Sequence, residues 1–258
     1  MSRLIKVVIT ASLSLLVPAT VASAQVTHSS KAWIDVSFGV ASAAEKTRST
    51  SISISDGAGE FEDYRTTYNI PRGAAADFGA GYMFTDLLGA GIAFNGAAHK
   101  DPADLSIRIP HPNFFNRHAT DEGETDEGLE RTEGSVHFKF VVRPVHTDRV
   151  SFRVFAGPSY YRMTMDAVSE IRYLQAFIGS LNAVEITSYD SVEAEATGWG
   201  FHGGADLSYF FTNSFGLGIG AQISRGTVTL DDYQILSDAP VDFKVGGFQA
   251  FGGLRFRF

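Results

Sequence analysis

The sequence predicts an all-β chain: an eight-stranded antiparallel up-and-down transmembrane β-barrel with four long extracellular loops at one end. Three observations predict it. Apolar and polar residues alternate with a period of two through segment after segment, which puts them on opposite faces of a strand. The connections between segments alternate long and short, as expected when turns gather at one end of a barrel and loops at the other. No apolar run after the first residues is long enough for a membrane helix, so any span must be made of strands.

Met1–Ala24 is read as a secretory signal peptide. Arg3 and Lys6 make a basic start, Val7–Val17 an apolar run, and Ala22-Ser23-Ala24 a small-residue cleavage site. The remaining 234 residues, 25–258, form one barrel domain. Removing Arg3 and Lys6 takes the formal net charge from −8 to −10. An acidic exported chain disfavours nucleic acid as a partner, because phosphates need cationic neutralisation. There is no cysteine, so neither disulfides nor thiolate chemistry is available.

The first strand is Trp33–Ala41, where Ile34, Val36, Phe38 and Val40 oppose Asp35, Ser37 and Gly39. A polar segment with Ser49–Ser55 and the turn Asp56–Gly59 follows, expected as a solvated hairpin extending the barrel wall. Gly73–Phe84 and Leu88–Ala97 are the second and third strands around the turn Thr85–Leu87. The loop His99–Thr132 carries an acidic block, Asp121–Glu130, expected to be mobile because like charges repel. Gly134–Arg143 is the fourth strand, with Val136, Phe138, Phe140 and Val142 outward. Val150–Arg162 is the fifth. In the next loop, Ile171, Leu174, Ile178 and Leu181 fall at helical spacing, which predicts a short helix capping the mouth.

Gly198–Arg225 holds strands six and seven. Trp199, Phe201, Ala205, Leu207, Tyr209 and Phe211 oppose Gly200, His202, Gly204, Asp206 and Ser208; after Thr212-Asn213-Ser214 the alternation resumes. The hairpin repeats an earlier one. Tyr82–Ile92 aligns without gaps on Tyr209–Ile219 as Y-x-F-T-[D/N]-x-[L/F]-G-x-G-I. A loop at about 226–242 leads to strand eight, Phe243–Phe258.

Lys139, Arg143, Arg153, Arg255 and Arg257 all share the parity opposite to the apolar set, which faces them into the lumen. A cation facing lipid at the midplane costs about 2–4 kcal/mol, so the sorting is energetically required. Asp35, Asp77 and Asp206 are their expected counter-charges, with His202 in the same network and glycines leaving room for the long side chains. His202 and Asp206 are also a candidate acid–base pair. Gly198–Gly203 fits G-x-G-x-x-G but lies within strand alternation, which excludes dinucleotide binding. No cofactor, catalytic or metal residues are assigned, and the chain is not expected to be an enzyme.

Gly253-Leu254-Arg255-Phe256-Arg257-Phe258 ends on alternating aromatics. With the repeated hairpins it makes residues 25–258 resemble the small eight-stranded outer-membrane β-barrel superfamily, similar to the outer-membrane protein A transmembrane domain and to opacity-type proteins. The resemblance implies an assembly signal at Gly253, Phe256 and Phe258 that is read by the barrel-assembly machinery. It also implies a place in the outer membrane with both termini periplasmic, in contact with outer-membrane lipid and lipopolysaccharide. The expected role is structural or surface-interactive, through the loops and an extracellular ligand or host surface, with the lumen closed by packed polar side chains. The alternatives are a lipid-modifying enzyme and a narrow conduit for small hydrophobic molecules.

Overall fold

The computed structural model describes residues 30–55, 59–178, 181–230 and 239–258, with the backbone alone at 181 and 182. The signal-peptide segment lies outside the described residues. Among the described residues twelve strands follow one another: β1 (Ala32–Ala43), β2 (Thr47–Ser55), β3 (Phe61–Asn69), β4 (Gly73–Met83), β5 (Leu88–Asp101), β6 (Ala103–Pro110), β7 (His118–Glu124), β8 (Leu129–His146), β9 (Val150–Ile178), β10 (Leu181–Phe210), β11 (Phe215–Leu230) and β12 (Val241–Arg257). Eight close a barrel in the order β1-β12-β11-β10-β9-β8-β5-β4, every pair antiparallel. The other four form a separate sheet, β2-β3-β6-β7.

The three short turns explain the sequence repeat. Thr85 Oγ1 accepts the N–H groups of Leu87 and Leu88, and Thr212 Oγ1 accepts those of Ser214 and Phe215. Thr147 Oγ1 accepts the Val150 N–H in the third. Threonine recurs because its hydroxyl satisfies turn donors that no ladder reaches. The same end closes the ring: Lys31 N–H bonds Phe258 O, and Phe258 N–H bonds Ala32 O.

Outside, the wall is apolar. Phe38, Phe94, Phe140, Phe201, Leu217 and Ile219 are all exposed, although a soluble fold would bury such residues. On β9 and β10 this surface runs eleven residues, ten steps, from the Val150–Tyr209 pair to the Tyr160–Trp199 pair. At about 3.4 Å per residue and a tilt of about 40°, that is a height of about 25 Å, the apolar band of a bilayer-spanning barrel. Aromatic rings mark both limits: Tyr160 against Trp199 at one, Tyr82–Phe84 and Tyr209–Phe211 at the other. One outward step beyond Tyr160 the wall turns charged, with Arg162 paired to Glu195. The architecture is that of the small outer-membrane β-barrels the sequence resembles.

Beyond the girdle three expectations are corrected. The Ser49–Ser55 hairpin forms, but it leaves the ring and pairs with β6. The acidic block Asp121–Glu130 is no free loop: Asp121–Glu124 belong to β7 and pair with Asp104–Ile107 of β6, Leu129 and Glu130 open β8, and Asp121 accepts the Ile186 N–H of β10 at 2.7 Å. The capping helix does not exist. Its residues continue β9 and β10, the ladder shifting register between Ile186 and Ser188 and between Asp190 and Ser191. Leaving Ser169 unpaired puts Ala167 and Val168 both on the buried side, while Ile171 faces the core and Leu174 and Ile178 face solvent, so the helical spacing joins residues on opposite faces of a strand.

The extended walls enclose a dry core. Tyr161, Met163, Met165, Ala196, Val228, Leu230, Phe243 and Val245 line it, and Tyr64, Tyr68, Leu105, Ile107 and Ile109 of the four-stranded sheet cover it. Tyr68 Oη accepts the Val168 N–H at 3.0 Å, and burial pushes its phenol pKa up.

Candidate functional site

The interior of the barrel below that core collects the inward-facing polar residues. Each strand delivers every second side chain there, so the sequence parity becomes a layer of charges. Arg153 from β9 donates to both carboxylate oxygens of Asp35 (3.0 and 2.9 Å) and to Asp206 (2.7 Å). Arg255 from β12 makes two bonds to Asp206 Oδ2, through Nε at 3.0 Å and a terminal nitrogen at 2.6 Å, and a third to Ser37 (2.8 Å). Asp206 thus serves two arginines at once, and Ser208 also donates to it at 2.7 Å. Arg255 is 1% exposed, so its charge is compensated entirely from within. Gly218 makes the space: a Cβ there would lie 2.5 Å from Arg255 Nε.

Lys139 lies 3.8 Å from Asp77, with its ammonium 4.5 Å from the Phe155 ring centroid. Arg143 and Arg257 occupy the turn end, and among the described residues neither forms an ion pair with a carboxylate. Arg143 donates to the carbonyls of Asp86 and Ser30, and Arg257 to those of Asn213 and Thr147 while stacking 4.0 Å from Phe210. They were expected among Asp35, Asp77, Asp206 and the interior amides. The turns supply free main-chain acceptors closer by.

His202 and Asp206 do not meet. Asp206 is held by the two arginines, and His202 Nδ1 bonds Ser159 Oγ at 2.9 Å. One residue of the same face, Gly204, separates them along an extended strand, which carries the imidazole out of reach of the carboxylate. Ser159 Oγ also bonds His137 Nδ1 at 2.8 Å, and His137 Nε2 bonds Ser135 at 3.0 Å. The imidazole rings lie 4.4 Å apart. Beside them Asn95 and Gln249 exchange two bonds of 2.9 Å, and Gln222 donates to Gln249.

At the boundary with the dry core, Glu133 Oε1 accepts two bonds from Arg131 (3.0 and 2.7 Å) and Oε2 accepts the Gly246 N–H. This buried pair was missed because residues 131–133 were assigned to a loop or left off a strand, although the inward parity of β8 continues through them. Ser159, Asn95, Gln222 and Gln249 are equally legible by parity, although they carry no charge to mark them.

Among the described residues, small cavities of about 20 Å³ lie at two places in the lumen. One lies among Asp35, Asp77, Lys139 and Arg255, the other among Ser30, Arg143, His146 and Arg257. Each has room for about one water. No group of three or more metal-ligating side chains occurs among the described residues. Phe256 packs outward on Phe215 at 5.5 Å, and Gly253 faces Ser37 across the seam between β1 and β12.

No protein-family model matches the chain, and no curated protein matches its sequence. Among solved structures it is similar to the outer membrane protein OprG from Pseudomonas aeruginosa, with 11% identity over 89% of this chain and 96% of that one, at a TM-score of 0.49. It is similar to the outer membrane protease OmpT from Escherichia coli, with 9% identity over 92% and 99%, at 0.47. A third is Neisserial surface protein A, with 13% identity over 88% and 97%, at 0.40. The fold assignment stands on the ring's own strand pairing.

Proposed function

We propose that the chain is an outer-membrane barrel with a closed lumen and a surface-interactive role, both termini on the periplasmic side. The observation that carries this is the contrast between the two ends. The lumen is filled by the Asp35–Arg153–Asp206–Arg255 network, while the far end is a built structure that no transport role needs. From Arg162 to Ile178, β9 continues for about 50 Å of strand beyond the girdle. Its end presents Leu174, Phe177 and Ile178 to solvent, and Phe177 and the exposed Phe114 both pack on His111. Apolar side chains grouped on an exposed tip are a usual mark of an interaction surface.

Protease treatment of intact cells tests both parts. Cleavage within β6–β7 or the β9–β10 tip, leaving a membrane-protected barrel fragment in the outer-membrane fraction, is the expected result. Recovery of the whole chain as a soluble periplasmic protein contradicts it. A second reading, a lipid-modifying enzyme, draws on Ser159 lying between two imidazoles. The hydroxyl is fully buried, which opposes that reading. Lipid A hydrolysis lost in both Ser159→Ala and His202→Gln would establish it.

A further inference from the structure

Cations in the membrane-level wall face the lumen, and those that face outward call for a partner. Arg162 has one in Glu195, at 2.5 Å. Arg225 on β11 and Lys244 on β12 also point outward and are exposed, and among the described residues no carboxylate lies within ion-pairing distance of either. They are close neighbours. Arg225 is directly opposite Gly246, and Lys244 is two residues along the same strand, opposite Thr227. Such diagonal positions on one sheet face are about 7–8 Å apart, within reach of a single anionic group.

Their level in the wall is what selects a ligand. Arg225 stands directly across from Phe201, and Ile223 across from Phe248; all three apolar residues are more than half exposed. Trp199 of the girdle lies two residues along β10 from Phe201. The pair of cations therefore sits where the apolar band gives way to the charged wall. A lipid-facing cation there is stabilised by extending its head toward the interface, where phosphates are found.

We propose that Arg225 and Lys244 form a binding site for the phosphate of a membrane lipid on the outer wall of β11 and β12. The guanidinium fork fits two phosphate oxygens, and the ammonium adds a second charge-assisted bond. Phe201, Ile223 and Phe248 lie under the acyl chains. This site rests on the membrane placement proposed above.

Trp199 is a built-in reporter. The chain has two tryptophans, and Trp33→Phe leaves Trp199 alone on the wall. This variant is placed in phosphatidylcholine vesicles doped with equal fractions of brominated phosphatidic acid or brominated phosphatidylcholine, and fluorescence quenching is compared. Phosphatidic acid should be enriched about tenfold at Trp199, the ratio that about 1.4 kcal/mol of extra binding gives. Adding Arg225→Gln and Lys244→Gln should bring the ratio close to one, whereas Lys100→Gln, on the opposite wall, should leave it unchanged. Equal quenching by the two lipids, or a preference that survives the double substitution, overturns the site. Loss of the preference on adding inorganic phosphate overturns the lipid assignment in favour of free phosphate. Heat-modifiable migration from the same vesicles separates the two levels: a chain that does not insert contradicts the membrane placement itself.

Discussion

Below the Tyr160–Trp199 girdle the molecule is built inside out; above it, it is built like a soluble protein. Below, Phe140 and Phe201 face outward while Arg153, Arg255 and Asp206 are enclosed. Above, the outward positions of β9 are Arg162, Asp166 and Glu170, and the enclosed ones are Met163, Met165 and Ile171. The same two strands pass through both regions without interruption, and their parity does not change at the girdle. What changes is which chemistry occupies each parity. The surrounding solvent dictates that choice: lipid below, water above. In lipid a buried apolar core would gain little over the exposed one, so the interior is held by directed bonds. In water burial of apolar area supplies the stabilisation.

The comparison can be broken first at Asp206. Asp206→Leu leaves Arg153 with Asp35 alone and strips Arg255 of its two bonds to Oδ2. Removing one partner of a buried pair costs about 3–5 kcal/mol. The urea midpoint of the heat-modifiable form should fall accordingly, and barrel and outer sheet should be lost together. A smaller and more local effect is expected at Ile107, which is 0% exposed in the dry core. Ile107→Ala should cost about 2–5 kcal/mol, charged to the cover of that core. Proteolysis within β6 and β7 should accelerate while heat-modifiable migration stays normal. If the barrel melts with it, the two regions are not independent. The smallest effect belongs to the turns. Thr212→Ala removes one acceptor shared by two N–H groups at a solvated site, and about 1 kcal/mol is expected from the same urea titration.

How much of this was legible varies along the chain with the strength of the parity signal. The eight wall strands were readable because lipid enforces a strict alternation, and residues such as Val136–Val142 show it without interruption. The inward charges followed from the same parity. What was not legible lies where alternation is interrupted or diluted. On β9, Ile171 is enclosed while Leu174 and Ile178 face solvent, so apolar residues on both faces of one strand imitate a helical spacing. In β7 a row of carboxylates hides a strand whose inward positions are Ala119, Asp121 and Gly123, with no large apolar residue among them. Partner choice inside the lumen was beyond parity as well. Nothing in one dimension says that Asp206 takes two arginines or that Arg257 reaches the carbonyls of a neighbouring turn.

The central claim is that the directed bonds of the lumen close it. Its most direct measurement is ion conductance of the purified barrel in a planar lipid bilayer. With Asp35, Arg153, Asp206 and Arg255 bonded across the interior and cavities of about 20 Å³ between them, the expected record is flat, with no steady conductance over hours of applied voltage. A steady, reproducible channel in pure preparations would contradict a closed lumen and move the reading toward a conduit.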